Sequence, residues 1–219
     1  MWSINNPDTK IGSFLNKVTD VFLLNLMWIL LSFTIIGFGP ATTALYHTLV
    51  KVVRKDAGTM LKVFLGSIRD SWKVTIPAGM ITLLLLVSAY FVDIPNVYIL
   101  FAADDGIQIM TGIFSFLKLL IAIGLAVYLF PLLSRFQIGF FKGLYFALIL
   151  QFRHFFTTVI CAVSIVAAIL LAQAYPFLCV ILPGPVYLGM SCMMEKIMLQ
   201  YMEAEDKERD LNKDQWYLE

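Results

Sequence analysis

The run VTIPAGMITLLLLVSAYFV, residues 74–92, decides the fold. It contains no Asp, Glu, Lys or Arg, and Lys73 and Asp93 flank it. As a helix rising 1.5 Å per residue it extends about 28 Å, close to the ~30 Å hydrocarbon core of a bilayer. Four more apolar stretches lie near residues 21–38, 107–133, 155–171 and 177–194. None holds an acidic residue, and only 107–133 holds a basic one, Lys118. Together they predict an all-α, polytopic transmembrane helix bundle of about five spans. It forms a single membrane domain over 1–219, with amphipathic cytoplasmic helices and a charged cytoplasmic tail at 195–219.

Composition points the same way. The chain is 60% hydrophobic with a mean hydropathy of +0.83, against roughly 45–50% apolar residues in an ordinary soluble domain. A net charge of +1 supplies no field that would gather nucleic acid. Cys161, Cys179 and Cys192 lie in or beside apolar segments without a CxxC pair, as small hydrophobes in a bundle would. The first apolar run follows a polar lead of twenty residues and is not trailed by a clean cleavage site, so it is expected to stay in the mature protein.

The cations alternate between loops. Lys51, Arg54, Lys55, Lys62, Arg69 and Lys73 follow the first apolar stretch, and residues 93–106 then carry three aspartates and no cation. Arg135, Lys142 and Arg153 occupy the next connection, the turn at Tyr175–Pro176 has none, and Lys196, Lys207, Arg209 and Lys213 sit in the tail. Cytoplasmic loops retain Lys and Arg, which assigns the basic segments and the C-terminus to the cytoplasm. Five spans put the N-terminus outside despite Lys10 and Lys17. The alternative is a short sixth helix at 40–53 dipping back through the bundle, with both termini inside. Fourteen residues give only ~21 Å of helix, so the segment is read as partly inserted or interfacial.

Segment 60–72 repeats Met60, Leu61, Phe64, Leu65, Ile68 and Trp72 at helical spacing, with Lys62, Arg69 and Lys73 among them. Such a helix can lie on anionic headgroups as a connector or dock a cytoplasmic partner, and the connector is favoured. A weak likeness between 62–73 and 142–153 at an offset of 80 is attributed to shared composition. The segment 203–219 mixes charges of both signs and carries Trp216 and Tyr217, which suits a solvated extension.

Few residues are placed to do chemistry. Lys118 is the one charge inside a span, and the sixteen residues from it to Leu133 make about 24 Å of helix. The ammonium can therefore snorkel to the outer interface. Asn25, Trp28 and Ser32 share a helical face, where an amide in hydrocarbon needs a partner on another helix. Gln151 and Gln173, at the ends of the fourth span, are expected to reach water. Ser164, Ala168 and Ala172 form a stripe that permits close helix approach. The chain has no phosphate-binding GxxxxGK[ST] and no HExxH, and His47 and His154 are isolated. No catalytic residue, metal site or cofactor is expected, and the protein is read as not an enzyme. Its expected partner is the lipid bilayer, not nucleic acid.

The run Asn25-Leu26-Met27-Trp28-Ile29-Leu30, followed by Gly37-Phe38-Gly39-Pro40-Ala41-Thr42-Thr43-Ala44-Leu45-Tyr46, resembles the YesL family. This is a group of bacterial membrane proteins carried under a domain-of-unknown-function label. Phe64, Ile68, Arg69, Trp72 and Lys73, and the run Phe141-Lys142-Gly143-Leu144, fit its pattern. In the residues themselves, Gly37, Gly39 and Pro40 break the first helix, while Thr42 and Thr43 can cap or bond across the one that restarts. Such proteins are commonly encoded beside carbohydrate-uptake ABC permeases in Gram-positive bacteria. The resemblance thus implies an accessory or scaffold role with sugar ABC transporter components as partners, for which Lys62, Arg69, Trp72 and Lys73 are the candidate contacts. The alternative is a small transporter or channel whose broken first helix lines the path together with Asn25 and Lys118.

Overall fold

A computed structural model describes residues 10–55, 58–100, 105–136 and 138–201, and nearly all of them are helical. The expected first span, 21–38, is not one helix. Helix α1 (Lys10–Ser32) ends in a short 3₁₀ turn at Ile35–Gly37, after which α2 (Phe38–Thr48) begins and runs on as π-helical turns through Leu49–Arg54. The Thr34 hydroxyl donates to the Leu31 carbonyl at 2.7 Å, occupying one of the acceptors that a helix end leaves free. A Cβ at Gly37 would sit 2.2 Å from that same carbonyl oxygen, so only glycine closes this turn. Pro40 lies in the first turn of α2, where the missing N–H costs nothing.

The chain reverses here. Trp28 of α1 donates from Nε1 to Thr42 Oγ1 of α2 at 3.1 Å, and Leu24 shares a buried cluster with Ala44, Leu45 and Leu49. Thus α1 and α2 form an antiparallel hairpin. Helix α3 (Met60–Ser88) returns along α2 in turn, because Gly39 lies against Thr75 and Gly79 while Val53 shares a cluster with Phe64. A Cβ at Gly79 would lie 2.4 Å from the Gly39 Cα, which shows that the two backbones touch.

The amphipathic stretch 60–72 does not lie apart as an interfacial connector. It is the first half of α3, held in line by the buried Phe64. A π-helical turn at Ala89–Asp93 carries α3 into α4 (Ile94–Leu100). Helix α5 (Gly106–Arg135) then runs back antiparallel to α3, with its residues from Leu125 to Leu133 at the centre of the larger core cluster. Residues 107–116 are part of this helix.

The connection expected between the third and fourth spans contains α6 (Phe140–Arg153), folded back on α5. Gln151, expected to reach water, is fully buried there and donates from Nε2 to the Leu120 carbonyl at 2.8 Å. Gly124 opposite it leaves the room, since a Cβ would fall 1.9 Å from Gln151 Oε1. Helix α7 (Phe155–Ala174) is anchored at its start by Thr158 on Tyr128 of α5 (3.1 Å) and is otherwise mostly exposed. Ser164 of the expected stripe is exposed with it, whereas Ala168 and Ala172 are half-buried.

The stretch 177–194 is also broken. It holds the single turn α8 (Leu178–Ile181) and then α9 (Pro183–Gln200), which incorporates Glu195 and Lys196, the first residues of the expected tail. Residues 202–219, with Trp216 and Tyr217, lie outside the described residues, as does Asp104. Among the described residues, four stretches are long and apolar enough to cross a membrane: Leu15–Ser32, Met60–Ile99, Gly106–Arg135 and Phe155–Ala174. Such helices mark a membrane-embedded protein.

Candidate functional site

Three helices converge on one buried carboxylate. Glu195 of α9 accepts from Tyr46 Oη of α2 at 3.0 Å through Oε1 and pairs with the Arg135 guanidinium of α5 through Oε2. Both side chains of the ion pair are almost completely buried. A second strut lies beside it. Arg54, in the π turns after α2, donates from Nη1 to the Ser191 carbonyl at 2.9 Å and to Ser191 Oγ at 3.2 Å. Burial, reinforced by the Lys51 ammonium, lowers His47 to about 4, so at neutral pH it adds no charge to this end of α2.

Each part has a local cause. Arg135 is the last residue of α5, where a cation complements the carbonyl end of the helix dipole. Tyr46 points inward because α2 is buried along nearly its whole length, with Gly39, Ala41 and Ala44 letting its neighbours approach. An ion pair withdrawn from water survives only where hydrogen bonds complete it, and Tyr46 supplies one of these. Chemically the centre is a clamp joining α2, α5 and α9. Sequence reasoning missed it, having assigned Arg135 to a loop and Glu195 to the tail. The available signal was Glu195 as the first acid after a long apolar run.

A second polar centre surrounds Lys118. It was expected to snorkel to the outer interface; its Nζ lies 3.0 Å from Asp93 Oδ1 and donates to Ser88 Oγ at 2.9 Å. The π turn at Ala89–Asp93 brings the carboxylate inward, leaving the Asp93 side chain 1% exposed and that of Lys118 40% exposed. Asn96 donates to Ser115 Oγ nearby on the same two helical segments (3.2 Å). Lys118→Met therefore strands a buried carboxylate. We expect a loss of about 2 kcal/mol, moderated because the ammonium is partly solvated. Chemical denaturation in detergent checks this: Lys118→Met should be clearly less stable than the Asp93→Asn/Lys118→Met double variant, and equal stability would contradict the pairing.

The other sequence-predicted residues separate into different contacts. Asn25 donates from Nδ2 to the Ile181 carbonyl at 2.8 Å and packs on Gly184, tying α1 to the α8–α9 turn. Trp28 reaches Thr42 of α2, whereas the buried Ser32 hydroxyl has no hydrogen-bond partner among the described residues. These three therefore do not build one shared site. Thr42 and Thr43 donate to the Phe38 and Gly39 carbonyls of their own helix, at 2.7 and 3.0 Å, while Thr42 Oγ1 also accepts the Trp28 bond from α1. Lys62, Arg69, Trp72 and Lys73 are all exposed on α3, with the Lys73 ammonium 5.9 Å from the Trp72 ring centroid. Cys161, Cys179 and Cys192 are free thiols. The described residues contain no group of three His, Cys, Asp or Glu that could hold a metal ion.

No curated protein and no solved structure matches the chain. The model of the family described as "Protein of unknown function, DUF624" matches residues 21–94. These residues run from α1 through the hairpin turn and all of α3 into α4, and they contain the Asn25–Tyr46 stretch that carries the YesL-like resemblance. Over residues 21–94 the chain is similar to this family.

Proposed function

We propose that the protein is a non-enzymatic accessory or scaffold protein of the bacterial plasma membrane, associated with carbohydrate ABC uptake. The basic segments and the C-terminus face the cytoplasm in this proposal, following the distribution of Lys and Arg. One structural observation carries the docking part. The amphipathic start of α3 is continuous with a candidate span, and it exposes Leu61, Leu65 and Trp72 beside Lys62, Arg69 and Lys73. A preorganised apolar and cationic ridge loses little conformational entropy when it binds a partner. The link to sugar uptake rests on the family resemblance.

The test is co-purification in mild detergent, away from anionic lipid. Replacing Arg69 by Asp and Trp72 by Ala together should weaken recovery of the transporter component. Loss of an aromatic anchor at an interface costs ~2 kcal/mol or more, about thirtyfold in affinity. Undiminished recovery by the double variant would remove α3 from the interface.

The alternative of a small transporter gains one specific support, the ionisable groups buried between helices at Glu195, Arg135 and Tyr46. Solute uptake by sealed vesicles containing the purified chain, abolished by Glu195→Gln in a protein that remains folded, would favour it.

A further inference from the structure

The position of the α1–α2 turn along α3 determines how far the hairpin enters the membrane. From Lys73 to Asp93 is twenty residues, about 30 Å of helix and so one hydrocarbon core. Below this stretch, α3 exposes Lys62, Arg69, Asp70 and Lys73, and at its upper end sits the Asp93–Lys118 pair. The bilayer therefore covers α3 from Lys73 to Asp93. Gly39, just after the hairpin turn, touches α3 at Thr75 and Gly79. That contact lies only about 3–9 Å above Lys73, and Gly79 is still about 21 Å short of Asp93. The legs of the hairpin run down beside the charged half of α3, where Val53 and Leu24 cluster with Phe64.

The tip itself is apolar and bare. Phe33 is 89% exposed, and Leu30, Ile35 and Ile36 are exposed around it. Residues 21–46 carry no charged side chain. In water this tip would be an unprotected hydrophobic patch, but at the depth set by Gly39 it meets the same acyl chains as Met80 and Ile81 of α3, which are also exposed. A helical hairpin satisfies its own backbone, so it can enter hydrocarbon and turn back without leaving polar groups bare.

We infer that the α1–α2 hairpin is a re-entrant, lipid-inserted element. Its tip of Leu30, Phe33, Ile35 and Ile36 lies among the acyl chains of the leaflet on the basic side, and neither helix crosses the bilayer. This leaves Lys10 and Lys17 on the same side as the 55–73 cations, where charge alone would put them.

The experiment uses the full chain in phosphatidylcholine–phosphatidylglycerol vesicles, with Cys161, Cys179 and Cys192 replaced by Ser. A nitroxide on Thr34→Cys should collide with oxygen in preference to a water-soluble nickel chelate. Its depth should match that of Met80→Cys to within about one helical turn, ~5 Å. An impermeant maleimide should label Asn16→Cys and Thr59→Cys from the same side. Nickel access at Thr34 would overturn the inference, as would labelling of Asn16 and Thr59 from opposite sides. A Thr34 probe shielded from both oxygen and nickel would also overturn it, because protein and not lipid would then cover the tip. If the cysteine-free chain fails to insert, the nitroxide can be carried by a ketone-bearing unnatural residue at Thr34 in the chain with its native cysteines, read against the same outcomes.

Discussion

Glu195→Ala is expected to be among the most damaging single substitutions in the chain, lowering stability by about 3–5 kcal/mol. Removing the carboxylate takes the Glu195 charge from beside the buried Arg135 guanidinium and the Glu195 acceptor from Tyr46. In a protein of this size each kcal/mol shifts a reversible melting temperature by roughly 2–4 °C, so a drop on the order of 10 °C is expected. Thermal unfolding in detergent measures it. An apolar replacement of both partners, Arg135→Met/Glu195→Met, should recover much of the loss, because two charges no longer need to be held out of water. If the double variant is as unstable as Glu195→Ala, the ion pair is not what the substitution disrupts.

Gly79→Leu should have an effect of similar size for a different reason. The Cβ alone would lie 2.4 Å from both the Cα and the N of Gly39, and backbone cannot yield as a flexible side chain can. The α2–α3 contact would have to open, at a cost of about 3 kcal/mol. Gly66 in the same helix supplies the control, since nothing lies within 4 Å of a Cβ built there. Gly66→Ala should stabilise α3 by up to ~1 kcal/mol through helix propensity alone. Denaturant titration of both variants distinguishes a steric effect from a general intolerance of side chains in α3. Equal losses in the two would contradict the backbone contact.

Much of the fold was legible because a bilayer imposes a simple length rule on apolar helices. Residues 107–133 and 155–171 each fall within one helix, residues 74–92 run from α3 into the π-helical turn that follows it, and the break announced by Gly37, Gly39 and Pro40 lies where α1 gives way to α2. Hydropathy alone cannot say whether a helix that enters the membrane also leaves it on the far side. For α1 and α2 that depends on Gly39 meeting Gly79, a contact forty residues apart with no local signature. Residues 177–194 were misleading in another way, because Pro183 ends the apolar run as a helix while leaving it intact as a composition.

The polar centres were harder to read. Lys118 stood out as a charge in an apolar run, but its partner Asp93 looked like a loop residue until the π turn carried it inward. Arg135 and Glu195 lie at the edges of their apolar stretches, where charges are ordinary. Only the contacts of α9 with α2 and α5 place them in the interior. The exposed set on α3 was legible as a pattern, whereas its unbroken helical continuation into a candidate span was not.

The most direct measurement is to identify what co-purifies with the unmodified chain from its native membrane in mild detergent. The accessory proposal predicts components of a carbohydrate ABC transporter in fixed proportion to the chain, and their loss with Arg69→Asp/Trp72→Ala. Recovery of the chain without any ABC component would contradict it.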